Sequence, residues 1–133
     1  MDSRSETLQI VYIEDDPTIA QMYRMKLEKD GYRVTLAADG EAGLRAVREI
    51  RPDLVFVDIR LPKMDGFTVL RQLRDDPATR HIPVVILSNY SAQDMVETGI
   101  RLGAQDYVIK SEATPGFLSS KVQHWASLSP PPV

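Results

Sequence analysis

The sequence contains no cysteine. Disulfides, thiolate metal sites and a cysteine nucleophile are therefore excluded. Long hydrophobic runs are missing as well. No apolar stretch reaches the roughly 20 residues that a membrane-spanning helix needs. The opening residues, MDSRSET, lack the apolar region of a signal peptide. A cytoplasmic protein is the resulting expectation, with no membrane partner. Basic clusters are also lacking, and the net charge is −3. Nucleic-acid binding by this segment, which needs a positive footprint, is not expected. No internal repeat is visible.

What is present suits one globular domain. The chain has 133 residues, 43% of them hydrophobic and 26% charged. That supports one core and is too short for two domains of ordinary size. Apolar runs alternate with helical patterns along the chain. Leu8 to Ile13 reads as a strand. Pro17 to Asp30 reads as a helix, with Ile19, Met22, Tyr23, Lys26 and Leu27 near one face and Gly31 as its stop. Arg33 to Ala37 is a short strand, and Gly40 to Ile50 a helix ended by Pro52. Leu54 to Val57 is an unbroken apolar strand. Phe67 to Arg74 is helical, with Phe67, Leu70 and Leu73 on one face. Ile82 to Leu87 is the fourth strand, and Ala92 to Leu102 a helix ending at Gly103. Gly99 inside it should weaken that helix by about 1 kcal/mol relative to alanine. Asp106 to Ile109 is the fifth strand. Pro115 to about Ser127 is the last helix, with Phe117, Leu118, Val122 and Trp125 available for packing. The terminal SLSPPPV reads as an extended tail or the start of a linker.

Five strands, each followed by a helix, predict an α/β fold: one doubly wound parallel sheet with helices on both faces. Strands one, three and four are nearly continuous apolar runs, as expected of central strands. The second, RVTLA, alternates and reads as an edge. The fifth, DYVI, is shorter and more polar, and reads as the other edge. This pattern fits the order 2-1-3-4-5, that of flavodoxin-like folds.

In such sheets ligands bind beyond the carboxyl ends of the strands, where the order reverses. Strand one ends in Glu14, Asp15 and Asp16. Strand three ends in Asp58, strand four in Ser88, strand five in Lys110. Acids from adjacent strands repel, and at least one carboxyl should titrate high. A divalent cation relieves the repulsion. Mg²⁺ takes oxygen ligands, usually one or two carboxylates plus a phosphate. The cluster thus predicts Mg²⁺ together with a phosphoryl group. Lys110 supplies a positive charge, and Ser88 a hydroxyl donor. Asp58 is then either a metal ligand only or a nucleophile that becomes an aspartyl phosphate.

The pieces IVYIEDD, DLVFVDIRLPKMDGF, IPVVILSN and GAQDYVIK, in this order, resemble a response-regulator receiver domain of the chemotaxis-regulator kind. The similarity covers about residues 8–127, leaving tails at 1–7 and 128–133. The resemblance implies a signalling module of a two-component or phosphorelay system, not an enzyme acting on outside substrates. It implies transient phosphorylation of Asp58 by a histidine kinase or a histidine phosphotransfer protein. It assigns Mg²⁺ to Asp15, Asp58 and the backbone carbonyl of Arg60, with Glu14 contributing through water. It makes Ser88 and Lys110 the phosphoryl contacts, and Tyr107 the aromatic whose position changes with Ser88. A switching face on the fourth helix, fifth strand and fifth helix follows, serving a downstream target, an output domain or a homodimer. A stand-alone receiver and a receiver within a longer regulator both fit the sequence.

Neighbouring polar residues have plainer roles. Asp16 before Pro17 reads as a helix N-cap, outside the metal shell. Asp65 before Gly66 reads as structural. Ser91 and Asp94 fit a capping-box-like pair. His81 and His124 lie off the site edge.

The chain also departs from the commonest receiver pattern. Ser111 stands where the family usually has proline after the lysine, often with a cis bond. A cis bond before a non-proline residue costs about 2.5–4 kcal/mol, so either that strain is kept or the loop is trans and Lys110 reaches the site differently. Asn89 replaces a small residue after Ser88 and is expected to narrow access to the phosphoryl group. Arg60 and Tyr90 occupy positions, two beyond Asp58 and Ser88, expected to tune phosphoryl lifetime.

Two other functions compete. A Mg²⁺-dependent phosphohydrolase working through an aspartyl phosphate commonly carries a second Asp two residues after the nucleophile; Arg60 stands there. A flavin binder needs a phosphate-cradling loop after strand one; EDDPT would repel the phosphate.

Overall fold

The computed structural model describes residues 7–128. The proline-rich tail and most of the amino-terminal tail lie outside these residues. Along the chain come β1 (Gln9–Ile13), α1 (Pro17–Lys29), β2 (Arg33–Ala37), α2 (Gly40–Ile50), β3 (Leu54–Val57) and α3 (Gly66–Asp75). Then follow β4 (Val84–Ser88), α4 (Gln93–Arg101), β5 (Asp106–Ile109), a 3₁₀ turn at Lys110–Glu112 and α5 (Pro115–Ala126). All strand pairs are parallel and the order is β2-β1-β3-β4-β5. The expected topology is therefore the observed one.

The central strands are buried on both faces because successive side chains point to opposite sides. Ile10 and Tyr12 of β1, and Leu54 and Phe56 of β3, pack with Tyr23 and Leu27 of α1 and with Leu118, Val122 and Trp125 of α5. Val11, Ile13, Val55 and Val57 point the other way, into Leu44, Val47, Val69, Leu70 and Leu73 of α2 and α3. On the first face the aromatic rings meet edge to face. Tyr12 lies 6.2 Å from both Tyr23 and Phe56, and Phe56 5.7 Å from Trp125. Such pairs add to simple area burial.

Helix starts follow local chemistry. Asp16 accepts from the Thr18 and Ile19 N–H groups, and Asp65 from the Thr68 N–H, so both are N-caps. The pair Ser91–Asp94 behaves otherwise. The N-cap of α4 is Ala92, with no side-chain bond, and Asp94 accepts from the Met95 N–H. Helix α4 thus begins one residue beyond a Ser91 cap. Gly99 lies close against the sheet: a Cβ there would stand 2.5 Å from Ile86 Cδ1, and the Ile86 side chain would have to shift to admit it.

Two expected core residues face outward. Met22 is 45% exposed, because the buried stripe of α1 runs through Ala20, Tyr23 and Leu27. Phe117 is equally exposed, standing beside the α5 stripe of Leu118, Val122 and Trp125. No helix among the described residues is long and apolar enough to cross a membrane.

Candidate functional site

The ladder fixes where the strand ends lie. Ile13 is level with Val57, Val57 with Ile86, and Ser88 with Ile109. The residues just beyond these pairs must therefore meet. Glu14 and Asp58 are buried, while Asp15 is exposed. Carboxylate oxygens of Glu14, Asp15 and Asp58 lie within 4.8 Å of one another. Lys110 Nζ enters this cluster, 2.6 Å from Asp58 Oδ2 and 2.5 Å from Glu14 Oε1.

Local bonds hold each acid. The Asp58 N–H donates to the Ile13 carbonyl, and Asp58 Oδ1 accepts from the Ile59 N–H at 2.7 Å. Helix α3 starts against the Asp58 backbone. The Gly66 N–H donates to the Ile59 carbonyl, and a Cβ on Gly66 would collide with the Asp58 carbonyl oxygen. Glycine is needed there for close approach. Glu14 is the most engaged acid: Oε1 also accepts from the Tyr12 hydroxyl at 3.2 Å, and Oε2 from the Asp16 N–H at 3.1 Å.

Burial pushes the Glu14 carboxyl above its usual range, against the pull of Lys110 and the Asp16 N–H. Burial pulls Lys110 down, but its bonds to Asp58 and Glu14 outweigh that and raise it overall. Lys110 is thus held charged. Three carboxylates still face a single ammonium. An all-oxygen, acid-rich donor set of this kind suits a hard divalent cation. Asp15 is its open member: it is exposed, whereas the oxygens of Glu14 and Asp58 already accept from Lys110 and from backbone N–H groups.

Ser88 is fully buried at the end of β4, and its Oγ accepts from the Tyr90 N–H at 3.2 Å. The Tyr107 hydroxyl donates to the Tyr90 carbonyl at 2.6 Å. It ties β5 to the loop after Ser88, and burial pushes its phenol up. Arg60 stands apart from the acids, its guanidinium 4.8 Å above the centre of the Tyr90 ring. The Lys110–Ser111 bond is trans, and Lys110 reaches the acids all the same. The Asn89 Oδ1 accepts from the Ser111 N–H at 3.1 Å; the side chain expected to narrow access is turned to the neighbouring loop.

The polar contacts of Tyr12 and Tyr23 escaped the sequence reading. Tyr12 was legible in principle, since it lies two residues before Glu14 on the same side of the strand. Tyr23 was legible only as a residue on the packed face of α1. Its hydroxyl donates to the Ala113 carbonyl at 2.6 Å, across 90 positions of sequence.

Residues 10–121 match the family model of the response regulator receiver domain. The chain is 41% identical over 101 residues to the transcriptional regulatory protein AfsQ1 of Streptomyces coelicolor, covering 76% of this chain and 44% of that protein. It is 42% identical over 102 residues to the DNA-binding dual master transcriptional regulator RpaA of Synechocystis, covering 76% and 42%. The chain thus spans less than half the length of these relatives. Among solved structures, the receiver domain of sensor histidine kinase PA1611 from Pseudomonas aeruginosa, with a magnesium ion in its active-site cleft, superposes with a TM-score of 0.83 at 30% identity, over 92% of this chain and 99% of that one. The BeF3-activated receiver domain of Klebsiella pneumoniae RstA gives 0.82 at 28% identity, over 90% and 99%. Sheet order, acid-lined strand ends and sequence likeness agree, and the chain belongs to the response-regulator receiver domains, the signalling modules of two-component systems.

Proposed function

We propose that Asp58 accepts a phosphoryl group from a phosphohistidine on a histidine kinase or phosphotransfer protein, and that the domain is a switch acting on itself alone. The observation that carries this reading is the 2.6 Å pair between Lys110 Nζ and Asp58 Oδ2 inside a three-carboxylate cluster. A carboxylate oxygen of Asp58 attacks phosphorus. The P–N bond of the donor breaks, and its electron pair stays on the imidazole nitrogen. Lys110 compensates the added charge and Ser88 donates to a phosphoryl oxygen, so the domain contributes positioning and electrostatics. Asp15, Asp58 and the Arg60 carbonyl would hold Mg²⁺, with Glu14 acting through water. When bound, the ion neutralises charge on the carboxylates and the phosphoryl oxygens. The magnesium in the active-site cleft of the PA1611 receiver and the Glu14, Asp15 and Asp58 cluster here support a metal at this site.

The switching face is α4, β5 and α5. Phosphorylation draws Ser88 inward and Tyr107 follows, shifting a two-state equilibrium. The face then serves an output domain, a separate target or a second copy, in the cytoplasm. The matched regulators AfsQ1 and RpaA, both longer than this chain, are consistent with an output domain. A phosphohydrolase acting on outside substrates draws no support from Arg60, which lies over Tyr90 where that chemistry wants a second acid.

Intact mass after incubation with a small phosphodonor tests the reading. Wild type gains one phosphoryl group with Mg²⁺ and little without it, and Asp58→Asn gains none. Full labelling of Asp58→Asn would sink the assignment.

A further inference from the structure

The turn that carries Lys110 is tied to the loop that follows Ser88 by one side chain. Ser88 is level with Ile109 across the β4–β5 ladder, so Asn89 and Lys110 leave the sheet side by side. The chain after Ile109 enters the 3₁₀ turn Lys110–Glu112, closed by the Ala113 N–H donating to the Lys110 carbonyl. The Ser111 N–H lies outside that closing bond, and it donates to Asn89 Oδ1 at 3.1 Å. From the other side the Tyr23 hydroxyl donates to the Ala113 carbonyl at 2.6 Å. The turn is gripped on both flanks.

We infer that Asn89 is a positioning residue for Lys110: its side-chain carbonyl holds the Ser111 amide and so fixes the backbone from which the Lys110 ammonium reaches Asp58. The inference rests on the reading of Lys110 as the phosphoryl contact. Both members of the pair are special to their positions. A proline at 111 would have no N–H to give. An alanine or glycine at 89 would have no acceptor to offer. Departures at two separate places in the sequence thus become one interaction in space. The bond lies between exposed residues, so its loss leaves the core intact. Its effect falls on Lys110, whose long, rotatable stem needs a fixed base to hold its head between Glu14 and Asp58. Small misplacements of such a group slow transfer disproportionately.

The competing role for Asn89 is as a screen narrowing the entrance to Asp58. The two roles predict opposite signs. If Asn89 screens, Asn89→Ala speeds phosphorylation by a small phosphodonor. If it positions Lys110, Asn89→Ala slows it, by about two- to tenfold, as loss of one hydrogen bond implies.

The experiment measures the phosphorylation rate of the full chain by acetyl phosphate at saturating Mg²⁺. The proteins are wild type, Asn89→Ala, Lys110→Ala and the double variant. The expected result is slowing in Asn89→Ala that vanishes in the Lys110→Ala background, because the residue acts through that lysine. Hydrogen exchange of the Ser111 amide, read by NMR, rises in Asn89→Ala if the bond exists in solution. Faster or unchanged phosphorylation in Asn89→Ala, equal slowing in the Lys110→Ala background, or an unchanged Ser111 exchange rate would each overturn the inference. Should Lys110→Ala itself match wild type, the phosphoryl-contact reading of Lys110 fails and takes this inference with it. Slow Lys110→Ala beside normal Asn89→Ala sinks the inference alone.

Discussion

The guanidinium of Arg60 lies over the ring of Tyr90, 4.8 Å from its centre. One residue comes from the loop after Asp58, the other from the loop after Ser88. Arg60 is exposed and Tyr90 half-buried, and their contact joins the two loops. The Tyr90 carbonyl also accepts from Tyr107, so contacts run from the loop beyond Asp58 to β5.

The stack should lengthen the life of the phosphoryl group by covering the approach of water in line with Asp58. An exposed cation–π contact is worth about 0.5–1 kcal/mol, which converts to roughly two- to fivefold in rate. Phosphoryl loss at fixed Mg²⁺ and pH should quicken by about that factor in Arg60→Ala and in Tyr90→Ala. The double variant should add little to either, since both singles break the same contact. Unchanged or slower loss in both singles would mean that these side chains do not guard the site.

Helix α4 should be the element that moves. Its N-cap makes no side-chain bond, which forgoes about 1 kcal/mol, and Gly99 is its only buried residue. A bound phosphoryl mimic should alter hydrogen exchange across Gln93–Arg101 and at Tyr107. Changes confined to the neighbourhood of Asp58 would refute the coupling.

Arg74 should be a keystone of stability. It is buried, and burial pulls its guanidinium down to about 10. Its nitrogens donate to the carbonyls of Gly103, Arg80 and Ile82 and to Gln105 Oε1. Those groups join α3, the entry to β4 and the end of α4. Arg74→Met takes the donor from the buried Gly103 and Ile82 carbonyls, and urea unfolding should show a loss of about 3 kcal/mol. Arg74→Lys should recover little, because an ammonium lacks the planar fork that reaches them together. A loss below about 1 kcal/mol in Arg74→Met, the size of a single ordinary bond, would rule out the keystone role.

Tyr23 should make the fold sensitive to alkali. Burial raises its phenol above the usual value. The folded state therefore keeps the proton at a pH where the unfolded chain has lost it. Stability from this group is complete below the unfolded pKa of about 10 and is lost as pH rises through the folded value. Tyr23→Phe should be less stable at neutral pH by about 1 kcal/mol, for the lost bond to Ala113. Its stability should also fall less steeply above about pH 10. Parallel alkaline profiles of the two proteins would contradict this.

The sheet and its order were legible in the sequence because burial is written into strand composition. LVFV and VVIL are apolar throughout, as strands covered on both faces must be, whereas RVTLA alternates as an edge strand does. The acids and the lysine were legible for a related reason: they interrupt apolar runs at strand ends, where a parallel sheet gathers its chemistry. Helix limits were read less well. The Ser91–Asp94 pair has the spacing of a cap, yet α4 starts after Ala92 with no side-chain cap, and a local bond of about 1 kcal/mol is small enough for tertiary context to override.

Pairings across long sequence distances belonged to the tertiary structure alone. Nothing in a one-dimensional pattern joins Tyr23 to Ala113, Asn89 to Ser111, or Arg74 to Gly103. Each pair unites a side chain with a backbone group, and backbone groups are the same at every residue. Composition and periodicity report which side chains are buried and which face they share. Which carbonyl or amide a buried polar head will meet depends on where the fold delivers that backbone, and only the closed chain decides it.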